Sequence, residues 1–311
     1  MKKYFLLYFA LSLLCSCGQG KTASDIKINT SQGISLLNRP LIKRQVNPQL
    51  DSLQIENYLE ALVNYEVNKE SVNHIVWLGR RTAYLGDYKR AIEIYSEGLN
   101  KFPNEARLYR HRGHRYISTR QLDKAIVDLE KAVLLIKDKE DVIEQDGIPN
   151  SLNQPISTLH TNIWYHLGLA YYLKNNLQKS LAAFKECLLK SNNDDLQVAT
   201  RHWMYMILKR MELSEQANVI LDPIHKEMTI IENFAYHNLL LFYKGELSEK
   251  ELLENNNLAS SLAVQYGIGN WYYYNDNKEK AMQIFEEITK TSNWSVFGYL
   301  AAEADLSRIK E

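Results

Sequence analysis

Residues 72–105 read VNHIVWLGRRTAYLGDYKRAIEIYSEGLNKFPNE, and residues 106–139 follow at once as ARLYRHRGHRYISTRQLDKAIVDLEKAVLLIKDK. A shift of 34 residues lays Gly79 on Gly113, Ala91 on Ala125 and Ile92 on Ile126. A chain with this period is built from one small unit stacked several times, because a unit of that length cannot bury an apolar face alone. The same spacing recurs: a Gly, a small residue twelve on, an aromatic or Leu sixteen on, and a small or apolar residue nineteen on. It gives Gly79, Ala91, Tyr95 and Gly98, then Gly113, Ala125, Leu129 and Ala132. Further along come Gly168, Ser180, Phe184 and Cys187, and finally Gly269, Ala281, Phe285 and Ile288. Two antiparallel helices joined by a short turn account for the spacing, with small residues where the backbones meet and large ones in the next layer. Turns are signalled at Gly86-Asp87, Asn175-Asn176 and Asn275-Asp276-Asn277, and Pro103 closes the first unit.

These residues resemble the tetratricopeptide repeat, whose Trp-x-x-Leu-Gly start is best matched by Trp164, Leu167 and Gly168, with Tyr171 and Tyr172 following. The resemblance implies an all-α fold, a right-handed α-α superhelix (TPR solenoid) of about six helix pairs with a C-terminal capping helix, over residues 50–311. Clear repeats occupy 72–105, 106–139 and 161–194; degenerate repeats occupy 195–254; the final repeat plus cap occupies 262–311. An insertion, 138–158, breaks the period. In the degenerate stretch, 204–211, 214–224, 234–243 and 247–253 read as helices, with Ala217 at a close approach and Gly245 between the last two. Ahead of the repeats, Leu53, Leu59, Leu62 and Val63 are spaced for one apolar stripe. The stretch 294–309 reads as a terminal helix with Asp305, Arg308 and Lys310 on its wet side.

Residues 1–16, MKKYFLLYFALSLLCS, place two lysines before an apolar run too short to span a bilayer, the layout of a secretory signal peptide. Leu14-Cys15-Ser16-Cys17 resembles a bacterial lipobox, with Leu14 three residues ahead of Cys17 and the small Ser16 directly ahead. That resemblance implies cleavage before Cys17, its lipidation, and a lipid anchor in the bacterial cell envelope. Gly18 stands where a retention signal would place Asp, which points to the outer membrane, facing the periplasm. Residues 17–49 read as a polar, flexible tether. Only Cys187 lies outside the first twenty residues, so a disulfide framework is excluded and Cys187 reads as a buried, inert thiol. Basic and acidic residues balance at 37 each, which gives no electrostatic footprint for nucleic acid.

Cationic side chains concentrate in the first helix of the second repeat: Arg107, Arg110, His111, Arg112, His114, Arg115 and Arg120, with no acid among them. The family's first helices line its concave face. The resemblance therefore implies a groove formed by Trp77, Arg80 and Tyr84, then Arg107, Arg110, His111 and His114, then Tyr165 and His166. Arg, His and aromatic rings together suit carboxylate or phosphate groups on an extended protein or peptide partner. Arg81, Arg112 and Arg115 fall where the family places apolar or small residues, and buried guanidinium groups require partners. The insertion is rich in acids, among them Asp141, Glu144 and Asp146. Two readings stand: the insertion neutralises the Arg cluster as an internal ion-pair network, or the cluster is a binding site and the insertion its flap. His111 and His114 share a helical turn, but the neighbouring Arg residues disfavour a cation, so no metal and no cofactor is expected. No nucleophile or acid–base pair has catalytic spacing, and the aromatic run 271–274 reads as packing between repeats. The expected function is a membrane-anchored scaffold or adaptor that binds another envelope protein or peptide through this groove. The alternative is a small anionic ligand, a sugar phosphate or peptidoglycan fragment, in a pocket covered by the insertion.

Overall fold

The computed structural model describes residues 31–43, 49, 51–254 and 261–310. Residues 1–16, expected to be a signal peptide, and Cys17 lie outside the described residues. Among those described are fourteen helices and one two-stranded sheet. A lone helix, α1 (Ser52–Val67), precedes six helix pairs. These are α2 (Val72–Tyr84) with α3 (Tyr88–Lys101), α4 (Ala106–Ser118) with α5 (Leu122–Ile136), and α6 (Leu159–Leu173) with α7 (Leu177–Lys190). Then come α8 (Asp194–Arg210) with α9 (Ser214–Leu221), α10 (Phe234–Lys244) with α11 (Glu249–Glu254), and α12 (Leu262–Tyr274) with α13 (Lys278–Lys290). The chain ends on α14 (Phe297–Lys310). Each pair packs on the next, so the protein is an all-α solenoid. Among the described residues no helix is long and apolar enough to cross a membrane.

The repeat spacing is a packing rule. A Cβ added at Gly79 would overlap the Tyr95 ring, and the same holds for Gly113 with Leu129, Gly168 with Phe184 and Gly269 with Phe285. Each signature Gly thus meets the residue sixteen positions on, across its own helix pair. Ala91, Ala125, Ser180 and Ala281, twelve positions on, are fully buried. Between the helices one residue adopts a left-handed conformation: Gly86, Arg120, Asn175, Glu212 and Asp276 all have φ between 58° and 82°. The next turn of chain is capped by Asp87, Asn176 and Asn277, whose side chains accept from the backbone N–H of Arg90, Lys179 and Lys280.

Three expectations need correction. The first concerns the stretch 17–49, read as a tether: within it, β1 (Ser31–Ile34) and β2 (Pro40–Ile42) form an antiparallel hairpin docked on the solenoid. Leu41 is buried, the Lys89 N–H donates to Gln32 Oε1 at 3.1 Å, and the Trp294 indole donates to the Ile42 carbonyl at 2.5 Å. Strands of four and three residues are too short to carry a periodic signal.

The second concerns α14. Instead of presenting Asp305 to water as an outer cap, it turns inward: Glu303 is fully buried and Asp305 is 3% exposed. Asp305 forms a paired contact with Arg210 (2.8 and 2.6 Å) and also pairs with the partly buried Arg308, while Glu303 pairs with Arg120. The side chain of Lys310 lies outside the described set. A charged residue such as Asp305 beside Ala301, Ala302, Ala304 and Leu306 reads as solvent-facing in the sequence because its partner Arg210 comes from a distant repeat. The third concerns α1, which packs mainly on α2. Leu53 and Val63 are each 61% exposed, and only Ala61 is buried.

The hairpin and α14 join the two ends of the solenoid. Glu303 accepts from Arg120 at the α4–α5 turn and from the Leu36 N–H of the hairpin at 2.6 Å. Arg39 donates to the Thr289 carbonyl, and Tyr88 meets Trp294 edge to face. Phe297, at the start of α14, reaches the rings of His114, Tyr165 and His166 inside the concave face.

Candidate functional site

The insertion after α5 is anchored at its neck. Ile143 bridges Thr158, Glu144 N–H donates to Ser157 O, and Leu159 N–H donates to Val142 O, both at 2.9 Å. Asp141 caps α6 by accepting from the His160 N–H (3.0 Å) and the Thr158 hydroxyl (2.6 Å). From the neck the loop crosses the concave face as a strap. At one side Arg81 Nη1 donates to the Gly147 carbonyl at 2.7 Å. At the other, Asn150 Nδ2 donates to Glu232 Oε2 at 3.2 Å, in the loop before α10. Gly147 is required there, since a Cβ would overlap the Tyr84 ring.

Beneath the strap lies a cavity of about 390 Å³. One end is cationic, with Arg80, Arg110 and Arg115 from α2 and α4. The rest of the lining mixes Tyr165, Tyr236, Phe297, Ile156 and Leu196 with three carboxylates, Glu144 and Asp146 of the strap and Glu232 of the loop before α10. The three guanidinium groups converge near the Tyr95 hydroxyl. Burial raises that phenol's pKa while Arg115, Arg80 and Arg110 each pull it down. Among the described residues, Arg80 and Arg115 make no ion pair. Arg80 donates to the Tyr84 hydroxyl at 3.4 Å and stacks on Trp77, and Arg115 lies over the Tyr88 ring.

Arg110 has one carboxylate, Glu144 of the strap. Nε lies 3.3 Å from Oε2, and Oε2 also accepts from Asn162 Nδ2 at 2.8 Å. His111 Nε2 lies 2.9 Å from Oε1. Burial opposes ionisation of Glu144, but Arg110 and His111 outweigh it and hold the carboxyl well below the usual range. Because Arg110 can only donate, His111 Nδ1 accepts its Nη1–H at 2.8 Å, so the ring hydrogen sits on Nε2, facing Glu144. Burial, and then the Arg110 charge, push His111 down to about 3, so the ring is neutral. His166 is likewise pushed to about 3 by burial and Arg110; its Nδ1 donates to the Asn162 carbonyl at 2.6 Å. That leaves His166 Nε2 an acceptor, and it is buried without a partner.

Of the residues singled out in the sequence, Arg80, Tyr84, Arg110, His111, His114, Tyr165 and His166 line this cavity together. Trp77 does not: it sits with Arg81 in a neighbouring cleft of about 280 Å³ between α1 and α2, beside Asn57, Asn64 and Asn73. Arg107 also stands apart, paired with Glu105 at 2.9 Å. The cationic cluster divides. Arg112 is neutralised within its own repeat by Asp128 (2.7 and 2.8 Å) and also donates to the Ser96 hydroxyl of the repeat before, and the insertion takes no part. Arg81 takes a carbonyl of the strap, and Arg115 faces the cavity. Of the insertion's acids, Glu144 meets Arg110, Asp146 lines the cavity within electrostatic reach of Arg80, and Asp141 serves the neck. Tyr95, Asn162, Glu232, Tyr236 and Phe297 also line the cavity. Tyr95 holds the repeat's packing position, so nothing in its spacing marks it as part of a site. Cys187 touches the same cavity, but burial raises its thiol to about 11, which leaves it un-ionised and inert. Among the described residues no group of His, Cys, Asp or Glu is arranged to hold a metal ion.

Two segments, residues 161–189 and 263–291, match tetratricopeptide-repeat profiles. No curated protein matches the chain significantly. Among solved structures it is similar to the crystal structure of YrrB, described as a TPR protein with an unusual peptide-binding site. The TM-score is 0.41 at 17% identity, covering 79% of this chain and 97% of that one.

Proposed function

From the premise that the chain is a tetratricopeptide-repeat protein, we propose that it is a non-catalytic recognition scaffold. It receives a compact anionic group of a protein or peptide partner in the cavity beneath the insertion. The observation that carries this reading is the convergence of Arg80, Arg110 and Arg115 on one cavity that Tyr165, Tyr236 and Phe297 also line. A cavity of about 390 Å³ is of ligand-pocket size, and guanidinium groups in an enclosed site favour carboxylate or phosphate. A long segment lying along the whole concave face fits less well, because the strap and α14 already occupy much of that face.

The test is capture of partners from a detergent-solubilised bacterial envelope by the wild type and by Arg80→Ala/Arg115→Ala. Neither arginine holds an ion pair, so the variant should fold and lose the partner. Equal capture by both overturns the cavity as the recognition site. The size of the cavity also suits a second source for the same chemistry, a free anion such as a sugar phosphate or peptidoglycan fragment. A free ligand at a hundred times its Kd stabilises the native state by about 2.7 kcal/mol. A rise in melting temperature with those compounds, and no protein captured, selects that source. The lipobox-like Leu14–Cys17 stretch supports an envelope lipoprotein tethered through Cys17 to the outer membrane. On that reading Cys17→Ala moves the protein to the soluble fraction, and retention in the membrane fraction refutes it.

A further inference from the structure

Glu144 is an unusual occupant of the cavity. It arrives on a loop that interrupts the repeat, and it brings a carboxylate to the one strongly buried arginine of the cationic end. The pairing is close in distance but poorly directed. Neither Arg110 Nε nor Glu144 Oε1 has an aligned hydrogen-bond partner, although both are buried. An internal ion pair selected for stability alone would be expected to satisfy both groups, since a buried polar atom without a partner costs roughly 1–3 kcal/mol. The groups around Glu144 are nonetheless those a carboxylate receptor uses: the Asn162 amide donates to Oε2 at 2.8 Å, while Arg110 Nε and His111 Nε2 stand 3.3 Å from Oε2 and 2.9 Å from Oε1 without alignment. All three donors belong to the solenoid, on α4 and α6. The carboxylate alone belongs to the strap.

We propose that Glu144 is a resident substitute for the ligand's own carboxylate. An incoming carboxylate takes over Arg110, His111 and Asn162, Glu144 withdraws with the strap, and binding and strap release are one exchange. This rests on the cavity being the recognition site, and it names the ligand class: a single carboxylate joined to an apolar or aromatic body. Exchanging one carboxylate for another leaves the buried charge unchanged, so no arginine is stranded without a counter-charge on the way. The ligand's apolar body reaches the wall of Tyr165, Tyr236 and Phe297, which Glu144 leaves uncovered. Beyond its neck the strap is held by three further hydrogen bonds: Arg81 to the Gly147 carbonyl, Asn150 to Glu232, and Asn193 to the Ile156 carbonyl at 2.8 Å.

The probe is 3-phenylpropionate, with 3-phenylpropionamide as its uncharged match, titrated into the full chain by calorimetry. Glu144→Gln removes the competitor and should tighten binding of the carboxylate at least tenfold, with no such gain for the amide. Because Glu144→Gln also leaves Arg110 without its partner and can impair folding, a second readout uses the wild type. Saturating 3-phenylpropionate should speed hydrogen exchange across residues 145–156, and Arg115→Gln should weaken that response. Unchanged or weaker binding by a folded Glu144→Gln, or probe binding with no change in strap exchange, overturns the proposal. If neither protein binds the probe while the envelope partner is still captured, the exchange falls and the scaffold reading stands. If the partner is lost as well, both fall.

Discussion

His111, His114, His166 and His202 all lie within the concave half of the solenoid, and each is kept neutral. Burial is the first cause at every one. It pushes His111, His166 and His202 down to about 3, and it pushes His114 well below its usual value with Arg115 next in weight. The unfolded chain titrates these rings near 6.5. Between pH 6.5 and 3 the unfolded state therefore binds more protons than the native state, so native stability falls as pH falls through that window. His111, His166 and His202 should each cost about 2 kcal/mol at pH 5 relative to full neutrality, and His114 adds to the loss in the same direction. Glu144 has a depressed folded pKa, so its contribution is present above the unfolded carboxylate range and does not change between pH 7 and 5. Calorimetric unfolding at pH 7 and at pH 5 should show a large drop in melting temperature, with uptake of about three to four protons at the lower pH. A melting temperature flat across that interval would mean that the rings are not buried neutral. In the sequence, the positions of His111, His114 and His166 on first helices were readable from the repeat. Their neutrality was not, because it arises from burial, to which Phe297 of α14 contributes, and then from Arg110 and Arg115.

At the scale of elements, the distinctive parts are the ones outside the repeat. The hairpin and α14 meet at Glu303, which takes the Arg120 guanidinium and the Leu36 N–H while fully buried. Arg120 occupies the left-handed turn position that Gly86, Asn175 and Asp276 hold elsewhere, with φ of 63°. In that conformation its side chain reaches Glu303 and also the carbonyls of Ser118 and Trp294. Removing one partner of a buried pair strands the other, at about 3–5 kcal/mol. Glu303→Gln should therefore lower stability by about that amount, read from the urea midpoint at constant m. Arg120→Met combined with Glu303→Leu should recover most of the loss. A loss under about 1 kcal/mol for Glu303→Gln would mean that the pair is not buried as described. Neither element was readable as it stands. The strands are shorter than any periodic window, and the polar residues of α14 have partners 95 and 183 positions away.

For the whole molecule, closure changes what kind of folding unit the chain is. An open array of repeats has stability set by each repeat and its neighbours, so it loses structure piecemeal from its ends. Here the ends are joined: the hairpin ties α3 to α13 and α14, and α14 reaches α4, α6 and α8 through Phe297, Arg308 and Asp305. The local period legible in the sequence fixes each helix pair and its contact with the next. It says nothing about closure, which depends on single residues far apart in the chain. Closure predicts one cooperative transition. Far-ultraviolet dichroism, which follows all helices, and tryptophan fluorescence, dominated by residues such as the buried Trp203, should give coincident urea curves. A chain ending at Ser295 lacks α14, so it loses both buried carboxylates and the ring of Phe297. It should unfold in separated steps with a lower m-value, and hydrogen exchange should spread inward from α2 and α13. If that shortened chain still unfolds in one transition with an unchanged m-value, neighbour-to-neighbour packing alone accounts for the cooperativity, and closure through α14 contributes nothing to it.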